Sequence, residues 1–233
     1  KYFSRIPRGQ RAAPDVVTLE VPQLAEKRMY AEAEVNPEVD IVWHTVAFGH
    51  PDSYALQVLG QLLSGKTGRL YKGLVLGSQV ATEVYGHQDS RKWAGLFNAG
   101  GSAKDGRAPE EVEQGIYAQL EQLKREEVPG PELQKVKNNF AAQEYRRLSA
   151  NHPILFQVIF NEGKGNWREI NAAGPKIQAV TAADVKRVVN KYLTRENRAV
   201  AIYTRKGSKT GTPTSPLGNL PEIATGQKAQ SSG

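Results

Sequence analysis

GQLLSGKTGRLYKGL, residues 60–74, admits two incompatible readings. Gly60, Gly65, Lys66 and Thr67 satisfy G-x-x-x-x-G-K-[ST], the phosphate-binding loop of many ATPases and GTPases. That loop must follow a buried strand and open a helix, so that backbone N–H groups converge on phosphate. Leu56, Leu59, Leu62 and Leu63, however, recur at three-and-four spacing, which places Gly60 inside a helix. The residues between the glycines, Gln-Leu-Leu-Ser, set two leucines on that helix's apolar face, where a phosphate cradle needs exposed backbone. No apolar strand downstream ends in a magnesium-binding Asp. Gly65 and Gly68 read instead as a helix end and a turn inside a helical hairpin, and the nucleotide motif is accidental.

Outward from this hairpin the chain alternates paired strands with runs of helix. KRMYAEAEV (27–35) places Met29, Ala31, Ala33 and Val35 on one face and Arg28, Tyr30, Glu32 and Glu34 on the other, the pattern of a half-buried strand with the first set inward. VDIVWHTVAFG (39–49) is apolar on both faces, as a central strand would be. Pro51 suits the first turn of the helix that leads into the hairpin. Two β-type runs follow, QVATEVYGHQ and KWAGLFNAGGSA.

About a hundred residues of helix come next. Pro109 opens one helix, with Glu110 and Glu111 in its first turn, Lys124 and Arg125 in its last, and Val112, Ile116, Leu120 and Leu123 inward. Pro131 opens a second, with Leu133, Val136, Phe140 and Leu148 inward. HPILFQVIFNEG (152–163) is apolar nearly all round, which implies burial. TAADVKRVVNKYL carries Thr181 and Asp184 as a capping box and buries Val185, Val188, Val189 and Tyr192. RAVAIYT closes as a strand. The order β-β-α-β-β-α-α-α-β predicts an α+β fold: a mostly antiparallel sheet covered by helices, with strands near 28–35, 39–48, 79–87, 92–102 and 198–204. Residues 1–26, with Pro7, Pro14 and Pro22, suit a linker from a preceding domain, and residues 207–233 form a Gly/Pro/Ser/Thr-rich tail with too little apolar surface to fold alone. Leu217, Leu220 and Ile223 are its candidate anchors. Lys1 is not Met, and KYFSRIPRGQ reads as the middle of a longer or processed chain.

Composition limits the chemistry. The 233 residues carry 31 basic against 24 acidic side chains, net +7, but the bases are scattered among acids, as in KREE (124–127), which suits a solvated surface better than a nucleic-acid groove. With no cysteine, disulfides and thiolate metal sites are excluded, while the compartment stays open between bacterial periplasm and cytoplasm. No apolar run approaches the ~20 residues of a membrane span. His44, His50, His87 and His152 include no pair three to five apart, so no zinc motif is present. G-x-S-x-G is absent, and Glu110 and Glu111 are explained by the helix dipole. Catalytic and metal residues are therefore both read as none.

Five stretches, in order, carry a resemblance. GRLYKGL (68–74) resembles the S-R-L-[FY]-x-x-[LI] segment of the insulinase or pitrilysin-type zinc metallopeptidases, a family that includes the mitochondrial processing peptidase. KYFSRIP resembles the end of that family's first domain, AGLFNAGGSAKDG its following core strand, PGPELQKVKNNF its next helix, and IQAVTAADVKRVVNKYLTRENRAVAIYT its closing helix and strand. The resemblance covers residues 1–206 and implies the LuxS/mitochondrial-processing-peptidase-like metallohydrolase fold over 27–206. In that family the first domain carries zinc on H-x-x-E-H; the second usually lacks it and closes the opposite wall around a peptide. This chain has no such motif and is similar to the second, non-catalytic domain. The resemblance thus implies zinc in a homologous partner domain or subunit, a peptide substrate, no nucleic acid, and either a peptidase chamber or a protease-like scaffold without proteolytic activity. Arg69 matches the motif and is the substrate-chamber candidate. The Arg and Tyr that many relatives carry seven residues apart fall here on Val75 and Thr82, and nearby Tyr85, three residues along a strand, is expected on the opposite face from Thr82.

Overall fold

Val39, Ile41 and Trp43 are fully buried while Glu38, Asp40, Val42 and His44 between them are only half-buried, so this strand packs on one face. It is β2 (Glu38–Thr45) of a five-stranded sheet in a computed structural model that describes residues 4, 5, 7, 9, 11 and 21–206. The expectations for the tail, and most of those for residues 1–26, lie outside the described residues. With β1 (Lys27–Ala33), β3 (Ala81–Ser90), β4 (Gly95–Ala103) and β5 (Arg198–Arg205), the sheet runs β1-β5-β2-β4-β3. Three of the pairings are antiparallel and β1–β5 is parallel. The α+β, mostly antiparallel reading is therefore correct, with β2 central.

The helices meet the sheet on one face. α1 (Pro51–Leu63) lies on β3, α2 (Pro109–Arg125) on β4 and β2, and α6 (Ala182–Tyr192) beside both helices. Their stripes, Leu56/Leu59/Leu62/Leu63, Val112/Ile116/Leu120/Leu123 and Val185/Val188/Val189, are all buried, around Trp43 and Phe97 with ring centroids 6.3 Å apart. α3 (Gly130–Arg147), α4 (Asn151–Lys164) and α5 (Glu169–Ala179) form the outer part. On the other sheet face, among the described residues, Asp40, Val42, Leu96, Asn98, Ala199 and Ala201 stay half-buried and Tyr85 and His87 exposed.

Four expectations are corrected. The helical run after β4 holds five helices where the predicted order has three, and α5 has no counterpart among the stretches read as helix. β1 is turned over: Met29 pairs with Ala201 on the open face and is 48% exposed, Val35 lies beyond the strand, and Arg28 faces the helices. The reason is Glu113 on α2, which takes the Arg28 guanidinium in two hydrogen bonds of 2.7 and 2.8 Å. The apolar α4 has no buried residue, and Leu155, Phe156, Ile159 and Phe160 are 45–61% exposed. Leu148 is likewise exposed, because α3 ends at Arg147 and leaves it as the C-cap.

Candidate functional site

Residues 60–74 close α1 and make a turn. His50 caps the helix, its Nδ1 accepting the Asp52 N–H at 3.0 Å, and Pro51 takes the first position. Gly60 is the tenth residue of the helix and lets it approach β3; a Cβ there would stand 3.1 Å from the His87 Cα. Ser64 closes the helix on the Gly60 carbonyl at 2.9 Å and accepts the Gly86 N–H at 2.8 Å, tying the helix end to β3. Gly65 has φ +76°, and the Gly68 N–H returns to its carbonyl at 2.9 Å. Lys66 and Thr67 are exposed at this turn. No strand runs into Gly60, so nothing here assembles a phosphate cradle. The chain then continues as a π-helical segment, Tyr71–Gly77, in place of an ordinary second helix.

Arg69 leaves this turn toward α3. Its Nε and Nη2 donate to the two Glu132 carboxylate oxygens at 2.9 and 2.7 Å, a fork-to-fork pair. The Arg69 hydrogen bonds hold the Glu132 carboxyl below its ordinary range; burial opposes them, and the fields of Lys72 and Lys135 assist. The pair lies in a groove of about 670 Å³ that also contains Lys72, Gln119, Lys135 and Asn139. Such a groove can receive polar or anionic groups, while the carboxylate already occupies one edge of the Arg69 fork.

Val75 packs against the core and Thr82 is exposed on β3, its Oγ1 donating to the Ser102 carbonyl at 3.3 Å. The two do not form a polar pair. A bulge between Ala81 and Glu83 resets the alternation of β3, so the expectation that three residues separate the faces of Thr82 and Tyr85 does not hold across it. Tyr85 instead lies across Gly100 and donates its hydroxyl to Asp40 on β2. A Cβ on Gly100 would come 2.5 Å from that hydroxyl. Burial, then the hydrogen bond to Asp40 and the field of Glu38, push the Tyr85 phenol up, so it is a fixed donor at neutral pH. With His87 at 5.8 Å from its ring, Tyr85 gives the open sheet face a polar strip.

Three buried carboxylates were not singled out from the sequence. Asp52 (4% exposed) receives Tyr192 at 2.6 Å, Arg187 at 2.7 Å and Lys191 at 3.1 Å, all from α6. Burial raises its pKa, but these partners outweigh burial and hold it down at about 2. Glu113 receives Arg28 and, at 2.7 Å, Tyr117; Glu169 receives Tyr54 and Lys176, each at 2.7 Å. Both carboxyls lie below their ordinary range, burial again opposing the hydrogen bonds. Glu113 could have been noticed as a charge on the helix stripe between Val112 and Ile116; Asp52 and Glu169 carry no such signal. All three join helices or strands to one another, with their acceptor positions filled by the chain itself.

Among the described residues no three His, Cys, Asp or Glu side chains lie together as a metal-holding group. His50 serves α1 as its cap, and His152 packs edge-on against Phe156 at 4.7 Å. No described helix is long and apolar enough to cross a membrane.

Comparison with known proteins fits this arrangement. Residues 1–140 match the family described as peptidase M16 inactive domain. The zinc protease PqqE of Helicobacter pylori is 28% identical over 168 residues, covering 68% of this chain and 36% of that protein. The structure of a protease from Helicobacter pylori shares the fold with a TM-score of 0.80 at 22% identity, over 84% of this chain and 48% of that one. A peptidase M16 inactive domain from Pseudomonas fluorescens superposes with a TM-score of 0.68 at 17% identity, over 82% of this chain and 46% of that one. The chain thus spans less than half the length of each of these proteins. With more than half of its residues matched by the family, this chain belongs to the peptidase M16 inactive domains.

Proposed function

We propose that this chain is the non-catalytic wall of a zinc metallopeptidase chamber, enclosing a peptide opposite a homologous domain that carries the zinc. Its membership in the inactive-domain family carries this reading, together with its resemblance to a zinc protease that is more than twice as long as the matched segment. A wall opposite zinc has two physical tasks: it excludes water, and it holds the peptide against the attacking hydroxide. Val75 and Thr82 stand where many relatives have Arg and Tyr, so this wall supplies no charge to the transition state and acts by positioning. Arg69, in its groove beside Lys72 and Lys135, is the proposed contact for a distant part of the substrate.

Positioning by remote contacts is spent on kcat/KM for long substrates, because short peptides cannot reach those contacts. A peptide-length series, assayed with the zinc-bearing domain in the presence and absence of this chain, tests the reading. The expected result is no activity from this chain alone, and a gain on addition that grows with peptide length. An equal gain at every length points to a direct chemical role; no gain at any length favours the scaffold reading.

A further inference from the structure

The groove at Arg69 is built from several elements. α3 gives one wall, with Glu132, Lys135, Val136 and Asn139 at three-and-four spacing along one side of the helix. The π-helical segment gives Lys72 and Gly73, α2 gives Gln119 and Gln122, and the end of α1 gives Gln61 and Leu62. Its volume of about 670 Å³ lies within the ~300–1,000 Å³ of ligand pockets. Packing fixes these walls. The Ser78 N–H closes a π-turn on the Gly73 carbonyl at 2.8 Å, a rare geometry that is frequent at functional sites. The segment is pressed against α2: a Cβ on Gly115 would stand 3.0 Å from Leu74, and one on Gly73 3.1 Å from the Gln119 Nε2. The Arg69–Glu132 fork ties the turn before it to α3. Lys72 and Lys135 are thus carried on fixed backbone, although their side chains are exposed.

The charge of the groove is unbalanced. Among the described residues that line it, Glu132 is the one carboxylate, and Arg69 offsets it. Lys72 and Lys135 remain, one on each wall, and neither ammonium is hydrogen-bonded or ion-paired among the described residues. The carboxamides of Gln61, Gln119, Gln122 and Asn139 likewise have no hydrogen-bond partner among the described residues, and each offers both a donor and an acceptor. Two uncompensated ammoniums favour carboxylates and repel a basic segment. Carboxamides match the alternating N–H and C=O groups of an extended peptide. A polyphosphate is matched less well, because the turn at residues 65–68 does not converge backbone N–H groups on one point.

We propose that this groove takes an acidic stretch of the substrate peptide, with Lys72 and Lys135 meeting its carboxylates and the surrounding carboxamides its backbone. This rests on the chamber reading and adds the class of substrate that the wall prefers. Arg69 holds the walls together through Glu132 and turns the Nη1 that Glu132 leaves unused to the same ligand.

Peptide binding to the intact parent polypeptide or complex tests the assignment, with a chelator present so that nothing is cut. Two labelled peptides are built on the longest member of the length series and compared by fluorescence anisotropy. They are identical except that one carries glutamates where the other carries glutamines. The glutamate peptide should bind about three- to tenfold more tightly, the size expected of two exposed ion pairs, and this gain should shrink as salt is raised. Lys72→Gln with Lys135→Gln should remove the gain, and Lys72→Glu with Lys135→Glu should reverse it. Both lysines are exposed, so the glutamine pair of substitutions should leave the melting temperature within about 3 °C. No difference between the two peptides in the wild type, or a gain that survives in both variants, overturns the acidic assignment and leaves the chamber reading standing. Inorganic tripolyphosphate is the small-anion control: if it binds more tightly than the glutamate peptide, with the same dependence on Lys72 and Lys135, the groove is a small-anion site and the peptide assignment falls. No gain from this chain at any length in the series removes the chamber reading, and this inference with it.

Discussion

Gly68 shows how a single missing carbon fixes the turn. A Cβ at this position would lie 2.2 Å from the Ser64 carbonyl oxygen and 2.5 Å from that of Leu63, both backbone atoms at the end of α1. Neither can yield without opening the helix end, so Gly68→Ala should cost about 2–3 kcal/mol, the upper range for overpacking. Gly65, at φ +76° with open space around it, has only the backbone penalty, and Gly65→Ala should cost about 1 kcal/mol. Lys66 is exposed, and Lys66→Ala should stay within about 0.5 kcal/mol. Urea midpoints at constant m measure all three. A ranking with Lys66 at the top would restore a role for the Gly-Lys-Thr triplet that the turn does not give it. The same reasoning applies to Gly100, where Ala would lift Tyr85 from Asp40; the Tyr85 phenol should then titrate closer to its ordinary range, as followed by ultraviolet absorbance.

At the scale of elements, the contact between β1 and α2 hangs on Arg28 and Glu113. Glu113 is 1% exposed, so Glu113→Gln leaves a guanidinium facing a neutral amide in a poorly solvated place. The expected loss is about 2 kcal/mol, below the ~3–5 of a fully buried broken pair because Arg28 is 28% exposed. Replacing both partners, Arg28→Met with Glu113→Leu, should recover most of it, and a double-mutant cycle by urea unfolding reads the coupling. Failure of the double variant to recover would mean that Tyr117, which also bonds Glu113, matters more than Arg28. This contact is also where sequence reasoning reached its limit. α2 and α6 were legible because cap, dipole and stripe agree within one segment, as with Thr181 and Asp184. β1 was read with the wrong face inward, because what draws Arg28 in is a carboxylate 85 residues away. α4 was read as buried because apolarity all round is the pattern of a buried helix, whereas Leu155, Phe156, Ile159 and Phe160 stand exposed on this chain. For the site, the accidental phosphate loop was legible, since the leucine stripe already set Gly60 inside a helix. The Asp52 and Glu169 clusters were not, since their members come from separate helices.

Over the whole molecule, the buried carboxylates set how stability follows pH. Asp52, Glu113 and Glu169 all have folded pKa values below their unfolded ones, so their contribution is present above the unfolded values near 4 and is lost as pH falls through the folded ones. Lys176 and Lys191 are raised, so what they add is complete below about pH 10 and is lost in stronger base. Stability should therefore be flat from about pH 5 to 9 and fall steeply toward acid. Asp52 is the case with a defined window, because its carboxyl sits at about 2 against an ordinary 3.8. Its partners Arg187 and Lys191 are about half exposed, which screens the pair and brings its share to on the order of 1–2 kcal/mol. Asp52→Asn should accordingly be less stable than wild type by about that amount at pH 7, and most of the gap should be gone by pH 2, where the folded Asp52 carboxyl is about half protonated and the unfolded one nearly fully so. Urea titrations of the two proteins at pH 7, 4 and 2 provide the comparison. A gap that stays constant across the three would place the contribution of Asp52 in its hydrogen-bond geometry with Tyr192, and the tie between α1 and α6 would then not depend on charge at all.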